Sequence, residues 1–342
     1  MSIVVDGYEQ VPENFTTGLE EIVAYHQINT VFGGVCSLMN IPLFLVFLSS
    51  PVLRQKHRNK ILLTLGVADT FNALAIFFMG QNRVELYTRV ITFQQIPIRT
   101  AWDCAIEPWL FLRQIGDVWP PMIHLVIGIE RALAVFFPVW FHKNARNKSS
   151  LLILSTVIVL LFCIVCGLLI GFIYRDTQVK YYCGRKAAFG KTYAGFIYVI
   201  NIFGYFFSFL INFCAIVVAS STINKLVQKE VYKIRYTLAI SFLSFVLVSI
   251  PNAISLCSAY FTEVADFISK PSTYFTCINS GINVFVYLLL NKEFRDHARS
   301  LVRKQTPLQQ SFARNVTRKQ QTYNRKSFPQ YQKVALKLDH LV

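Results

Sequence analysis

The sequence predicts an all-α membrane protein, a bundle of seven transmembrane helices with a short amphipathic eighth helix on the inner leaflet. Three observations predict it. Hydrophobic residues make up 54% of the 342 and charged residues only 15%, against roughly 45–50% and about 25% in an ordinary soluble domain. The 30 Phe are too many for one soluble core. The apolar excess falls in long blocks with no Pro/Gly/Ser linker between them, which excludes a soluble enzyme, a disordered chain and a secreted disulfide scaffold.

A spanning helix needs roughly 20 largely apolar residues, and seven stretches qualify. Residues 22–53 carry no Lys, Arg, Asp or Glu, and residues 61–82 carry one charge, Asp69. The third, from about 104 to 138, is the most polar. Residues 151–174, 194–224, 236–262 and 271–291 are free of acids and bases. A barrel would instead show alternation over about ten residues. A large soluble helical protein would need polar faces at a 3.6-residue period, and most of these runs have none.

Charge sets the expected orientation. Residues 1–21 hold Asp6, Glu9, Glu13, Glu20 and Glu21 and no Lys or Arg, whereas 12 of the 34 basic residues follow Asn291. An odd number of spans separates the two ends, and the basic end prefers the cytoplasm. The expected organisation is an extracellular N-terminus (1–21), a seven-helix domain with its amphipathic helix (22–303) and a disordered basic cytoplasmic tail (304–342). The first span can act as its own signal. Arg54 to Lys60, Lys143 to Lys148 and Lys225 to Arg235 then line the inner loops. The outer loops are less clean, because 175–191 holds five bases. Those bases either steer an anionic ligand or form a solvated loop. Asn14-Phe15-Thr16 is a glycosylation sequon on the expected outer side; the triplets at Asn147 and Asn315 fall inside. Of eight Cys, only Cys104 and Cys183 lie at or beyond the outer ends of spans. An oxidising exterior would pair them; the alternative is two free thiols.

Several short motifs at matching distances resemble the rhodopsin-like G-protein-coupled receptors over nearly all of residues 22–303. Asn40 stands in the first span. Asn59 and Leu65-Gly66-Val67-Ala68-Asp69 resemble N…LAxAD. Gly128-Ile129-Glu130-Arg131, with Ala134 and Pro138, resembles (D/E)RYxA…P. Phe245…Ser249-Ile250-Pro251 is similar to FxxCWxP, and Asn279-Ser280…Asn283-Val284-Phe285-Val286-Tyr287 with Asn291…Phe294-Arg295 to NSxxNPxxYxxxNxxFR. The style of Glu130-Arg131…Phe136-Phe137-Pro138-Val139-Trp140 resembles the nematode serpentine chemosensory receptors.

The resemblance implies roles. Asp69 would form a polar pocket with Asn283 that often holds sodium. Arg131 would pair with Glu130 at rest and meet the G protein when active. Pro251 would be the pivot of the sixth helix, and Tyr287 would turn into the inner cavity. Glu230 is a second resting partner to consider for Arg131. The departures are Ala132 after Arg131, Ser249 for Trp, Val284 for Pro, no Trp in the fourth span and no Pro in the fifth. Pro120-Pro121 replaces a small polar residue, which weakens the sodium site and predicts a kink. Cys104 is two residues farther from Arg131 than is usual, and the same kink would absorb them.

On the ligand side, Arg113 and Asp117 are four apart and share a helix face. Opposite charges at that depth pair to lower the cost of burial. They serve either a polar or acidic ligand or an internal structural link. Tyr198, Asn201, Tyr260 and Tyr274 are placed by position at the same mouth. On the cytoplasmic side a short loop, about 222–234, joins the fifth and sixth spans. Phe294, Ala298 and Leu301-Val302 alternate with Lys292, Arg295, Arg299 and Arg303 as in a helix lying on the inner leaflet. Ser300, Thr306, Ser311, Thr317, Thr322 and Ser327 offer phosphorylation sites for a receptor kinase and arrestin. No Cys follows Cys277 to carry a palmitoyl group.

The function expected is a receptor that senses an extracellular chemical cue and activates a heterotrimeric G protein, in the plasma membrane or a sensory cilium. A receptor for a neuropeptide or small transmitter is the alternative. A light sensor is disfavoured, because no Lys stands in the seventh span to hold retinal. A transporter would show internal repeats or broken helices, and none is evident. An enzyme would need a nucleophile–base set or metal cluster; His26, His57, His124 and His142 are scattered. No cofactor and no nucleic-acid partner is expected.

Overall fold

The structure, a computed structural model, describes residues 4–5, 7–141, 143, 149–221, 225–258, 265–290 and 292–302. Tyr260, Asn291 and the tail 304–342 lie outside the described residues, as does the Glu230 side chain. The elements run β1 (Val4–Val5), β2 (Tyr8–Gln10), α1 (Leu19–Ser49), α2 (Pro51–Gln55), α3 (His57–Phe93), β3 (Gln95–Pro97), β4 (Arg99–Thr100), α4 (Ala101–Ala105), α5 (Pro108–Phe136), α6 (Pro138–Trp140) and α7 (Ser149–Ile173). They continue with β5 (Gln178–Val179), α8 (Arg185–Ser221), α9 (Lys225–Ser244), a π-helical stretch Phe245–Ser249, α10 (Ile250–Ser258), α11 (Ala265–Leu290) and α12 (Lys292–Val302). Six of these helical segments are long and apolar enough to cross a membrane, or seven when Ser272–Leu289 is counted with the segment after it.

The packing is inside-out relative to a soluble protein. Phe162 is 64% exposed and Leu38 63%, while Asn40 and Asp69 are fully buried. Apolar side chains can cover the outside only where the surroundings are themselves apolar. The buried polar groups hold the helices together, because between lipid-bathed helices there is little hydrophobic drive to do so. Close approach supplies the rest. A Cβ on Gly33 of α1 would sit 2.5 Å from the backbone nitrogen of Phe77 on α3. That contact brings the two backbones together.

Three boundaries differ from the expected spans, each for a local reason. The first span ends at Ser49, where Ser50 caps a new turn by accepting from the Leu53 amide at 3.3 Å and Pro51 takes its first position. The third does not begin at Cys104. That residue belongs to α4, which is closed by a capping box in which the Thr100 hydroxyl and Asp103 carboxylate each bind the other's backbone amide. The turn at Ile106-Glu107 then leads into α5. The expected inner loop at 222–234 is helical from Lys225 onward.

The outer end also carries strands that an all-α expectation omits. β1, β2 and β3 form an antiparallel sheet with Tyr8 opposite Pro97 and Gln10 opposite Gln95. β4 pairs with β5, Arg99 opposite Val179. Residues before the first helix are thereby tied to the connection between α3 and α5. The chain divides into two units, residues 1–294 and 295–342. In the second, the described residues complete α12, whose last turn carries Arg299.

Candidate functional site

The outer half of the bundle is organised around Asp117 on α5. Its Oδ1 lies 3.2 Å from the Arg113 Nε, as the spacing predicts. Its Oδ2 lies 2.5 Å from an Arg185 Nη1 at the start of α8. The Arg185 guanidinium also lies over the Tyr198 ring, 4.6 Å from its centroid. All three charged side chains are largely withdrawn from solvent, with 13%, 5% and 15% exposed for Arg113, Asp117 and Arg185. Arg185 is one of the five bases between residues 175 and 191. It is a member of a buried cluster, which corrects the solvated-loop reading for that residue.

Pro120-Pro121 is accommodated within one helix. Helical structure runs from Pro108 to Phe136 through both residues. Pro121 has no N–H to offer the Asp117 carbonyl. Asn201 supplies the missing donor, its Nδ2 reaching that carbonyl at 2.6 Å from α8. Gly204, one turn on, makes room: a Cβ there would sit 2.7 Å from the Pro121 Cβ. The fifth helix thus lacks proline but is shaped to receive two from the third. Asn201→Leu should cost about 1–3 kcal/mol by leaving that carbonyl bare. A fall in the thermal midpoint of the purified protein would check it, with Asn201→Gln as a longer-reach control.

Of the other residues placed at this mouth, Tyr274 turns away, with its ring 5.5 Å from those of Tyr25 and Phe32 on α1. Around the rim, Arg83 donates to the Cys183 carbonyl and lies over the rings of Trp109 and Tyr182. Cys104 and Cys183 are disulfide-bonded, joining α4 to the segment before α8. A cavity of about 120 Å³ lies beside them, lined by Tyr8, Glu85, Arg89 and Tyr181 among others. Burial pushes the Tyr181 hydroxyl up to about 12, so it stays a neutral donor at physiological pH. Asn14 is exposed in the turn Glu13–Thr16.

The middle of the bundle is a polar seam. Asn283 Nδ2 donates to Asp69 Oδ2 at 2.5 Å, and Asn72 Nδ2 donates to the Ser280 hydroxyl at 2.8 Å. Asn40 donates to the Ser280 carbonyl at 3.2 Å. Across the seam, Ser244 donates to Asn279 at 2.9 Å and lies 3.4 Å from the His124 Nε2. Ser208 donates to the His124 carbonyl at 2.7 Å, and Asn212 donates to Ser241 at 3.1 Å. The sequence reading missed His124, Ser208, Asn212, Ser241 and Ser244. The signal was there, as polar side chains recurring one turn apart in otherwise apolar runs. For a sodium ion the residues fit poorly. Asp69 Oδ1 is a buried acceptor without a partner among the described residues, but Asn283 presents a donor to this carboxylate and Pro120 brings no side-chain oxygen.

At the inner end Glu130 and Arg131 are each 3% exposed and pair at 3.2 Å. The pair is buried, not a surface pair at the membrane boundary. Tyr287 is fully buried, its ring 6.1 Å from Phe47 and 5.8 Å from Phe294. Pro251 is buried just after the π-helical stretch, where the Ile250 amide reaches back to the Phe245 carbonyl. A widened turn of this kind marks a place where a helix can change register. Ser249, in the family's Trp position, donates to the Ile202 carbonyl at 2.8 Å.

The family model for the serpentine type 7TM GPCR chemoreceptor Srsx matches residues 38–302. The chain belongs to this family. None of the curated proteins matches it significantly. This Srsx protein is therefore a chemosensory G-protein-coupled receptor, a multi-pass integral membrane protein whose partners are a ligand and a G protein. That membership supports the chemosensory reading and implies a receptor rather than an enzyme. In this Srsx receptor the three levels, at Asp117, Asp69 and Arg131, lie on helices that pack directly on one another: α3 on α5, α5 on α8 and α11 on α3.

Proposed function

We propose that this receptor lies in the plasma membrane, in a sensory cilium where one is present, with its N-terminus outside and glycosylated at Asn14. A small extracellular ligand binds in the outer half at Arg113 and Asp117. Binding there shifts α5 against α8 through the Asn201 link, and the polar seam carries the shift inward. Glu130 holds Arg131 in the inactive state. Release of Arg131, a swing of α9 about the π-helical stretch and Pro251, and rotation of Tyr287 open a cleft for the G protein. Asp69 and Asn283 couple α3 to α11 during that change. The basic face of α12 rests on anionic lipid. The tail 304–342 is basic and disordered and, phosphorylated by a receptor kinase, recruits arrestin.

The buried Glu130–Arg131 pair at the inner end of α5 carries this reading. A charged pair withdrawn from water is costly, and holding one of two conformational states is a role that such a pair can fill. The test is a calcium or cAMP response in heterologous cells screened with volatile and water-soluble compounds. Loss of every response when the Gα subunits are removed is expected. Ion flux that persists without them would overturn it. Orientation has its own check: a tag before residue 1 should be reachable on intact cells and one after residue 342 only on permeabilised cells. Labelling of both from one side would reject the topology.

A further inference from the structure

We infer that the ligand is an organic acid whose carboxylate docks between Arg113 and Arg185. The inference rests on the outer site proposed above and adds its chemical class. Two guanidiniums meet one carboxylate, Arg113 at 3.2 Å and Arg185 at 2.5 Å, which among the described residues leaves the buried cluster one positive charge in excess. Arg83, also buried, meets the Cys183 carbonyl, the Tyr87 phenol and the rings of Trp109 and Tyr182, and has no carboxylate within ion-pair distance among the described residues. Among the described residues the outer half therefore buries three cations on α3, α5 and α8, with Asp117 the one carboxylate within ion-pair distance of any of them. An isolated charge in a low-dielectric interior is costly, and an added anion relieves that cost.

The donor geometry points the same way. Arg113 commits its Nε to Asp117, while its Nη1 is buried with no hydrogen-bond partner among the described residues. A guanidinium fork offers several donors in one plane and matches a carboxylate in a two-pronged fashion. A neutral ester or alcohol would leave the excess charge unanswered. A cationic ligand would have to displace an arginine from Asp117 and bury a further positive charge. The lysines and Arg175 of 175–191 would draw anions toward this mouth, with Lys180 and Lys186 among them.

The experiment uses the full-length receptor in lipid nanodiscs. Unfolding is followed by the reaction of its buried free thiols Cys36, Cys163 and Cys277 with a maleimide dye. The probes are straight-chain monocarboxylates from acetate to octanoate, with lactate and succinate, each alongside its methyl ester. At least one acid should raise the unfolding midpoint while its ester does not. Arg113→Gln and Arg185→Gln should each weaken that acid by about tenfold or more, and Arg185→Lys should restore part of the loss. Each single variant leaves Asp117 one arginine and so keeps the fold. Esters that stabilise as well as acids, acids indifferent to both substitutions, or a panel in which no acid binds would each overturn the inference. A receptor that ignores acids yet gives a Gα-dependent response to neutral compounds would lose the inference and keep the proposed function. Acid binding without any Gα-dependent signal would do the reverse.

Discussion

Asp117→Asn is expected to remove most of the receptor from the cell surface. Asn has nearly the volume of Asp but no charge, so two arginines that now share a carboxylate would face one another in a buried site. Removing one partner of a buried ion pair costs about 3–5 kcal/mol. Total stabilities are only about 5–15 kcal/mol, so the folded fraction in the cell should fall steeply. Flow cytometry against an N-terminal tag reads the surface fraction, and the thiol-dye midpoint reads the stability of what can be purified. The sign of the compensation separates charge from packing. Asp117→Asn with Arg113→Gln and Arg185→Gln removes all three charges together, so that no uncompensated buried charge is left. That triple variant should recover much of the lost expression. An Asp117→Asn receptor that reaches the surface like the wild type would show that the cluster is not held by charge.

The number of spans, the Arg113–Asp117 pair, the Cys104–Cys183 bond and the Asp69–Asn283 contact were all legible in the sequence. Each depends on a quantity that a linear reading measures well, such as a length of apolar chain, a helical spacing or the type of side chain at a known offset. Arg185 was not legible as part of the outer site. It lies far from Asp117 in sequence, in a stretch of bases that reads as a solvated loop. Only the placing of α8 beside α5 brings it to the carboxylate. What replaces the donor that Pro121 lacks was not legible for a related reason. Sequence shows the donor that Pro121 lacks, but not the Asn201 amide that replaces it from another helix. The short strands escaped notice because β1 to β5 are each two or three residues long, too short to show alternation, and β2–β3 and β4–β5 pair segments remote in the chain. The polar seam was half visible. Its acid was found because an ionisable group in an apolar run stands out, whereas its serines and asparagines did not, being common in membrane helices.

At the inner end, two conservative changes one residue apart should act in opposite directions. Glu130 and Arg131 are both buried and pair at 3.2 Å. If that pair holds the inactive state, weakening the acid frees the arginine without removing it. Glu130→Gln should therefore raise ligand-independent signalling by about fivefold or more, the lower end of common coupling energies between two states. Arg131→Gln keeps an amide that can donate to Glu130, which lowers but does not remove the cost of leaving that carboxylate buried without its cation, so signal is compared at matched surface level. It removes the guanidinium that the G protein would meet, so maximal signal should fall by about tenfold or more, again within the usual coupling range. A cAMP or calcium reporter normalised to surface tag measures both. A purely structural pair predicts a different pattern, in which both variants lose surface level and signal together. A switch predicts separation: Glu130→Gln active without ligand, Arg131→Gln silent with it, and the double variant silent as well, because freeing an arginine that is no longer there accomplishes nothing. The double variant is the decisive arm, since only an order of action, acid restraining base and base engaging the G protein, makes the second substitution erase the effect of the first.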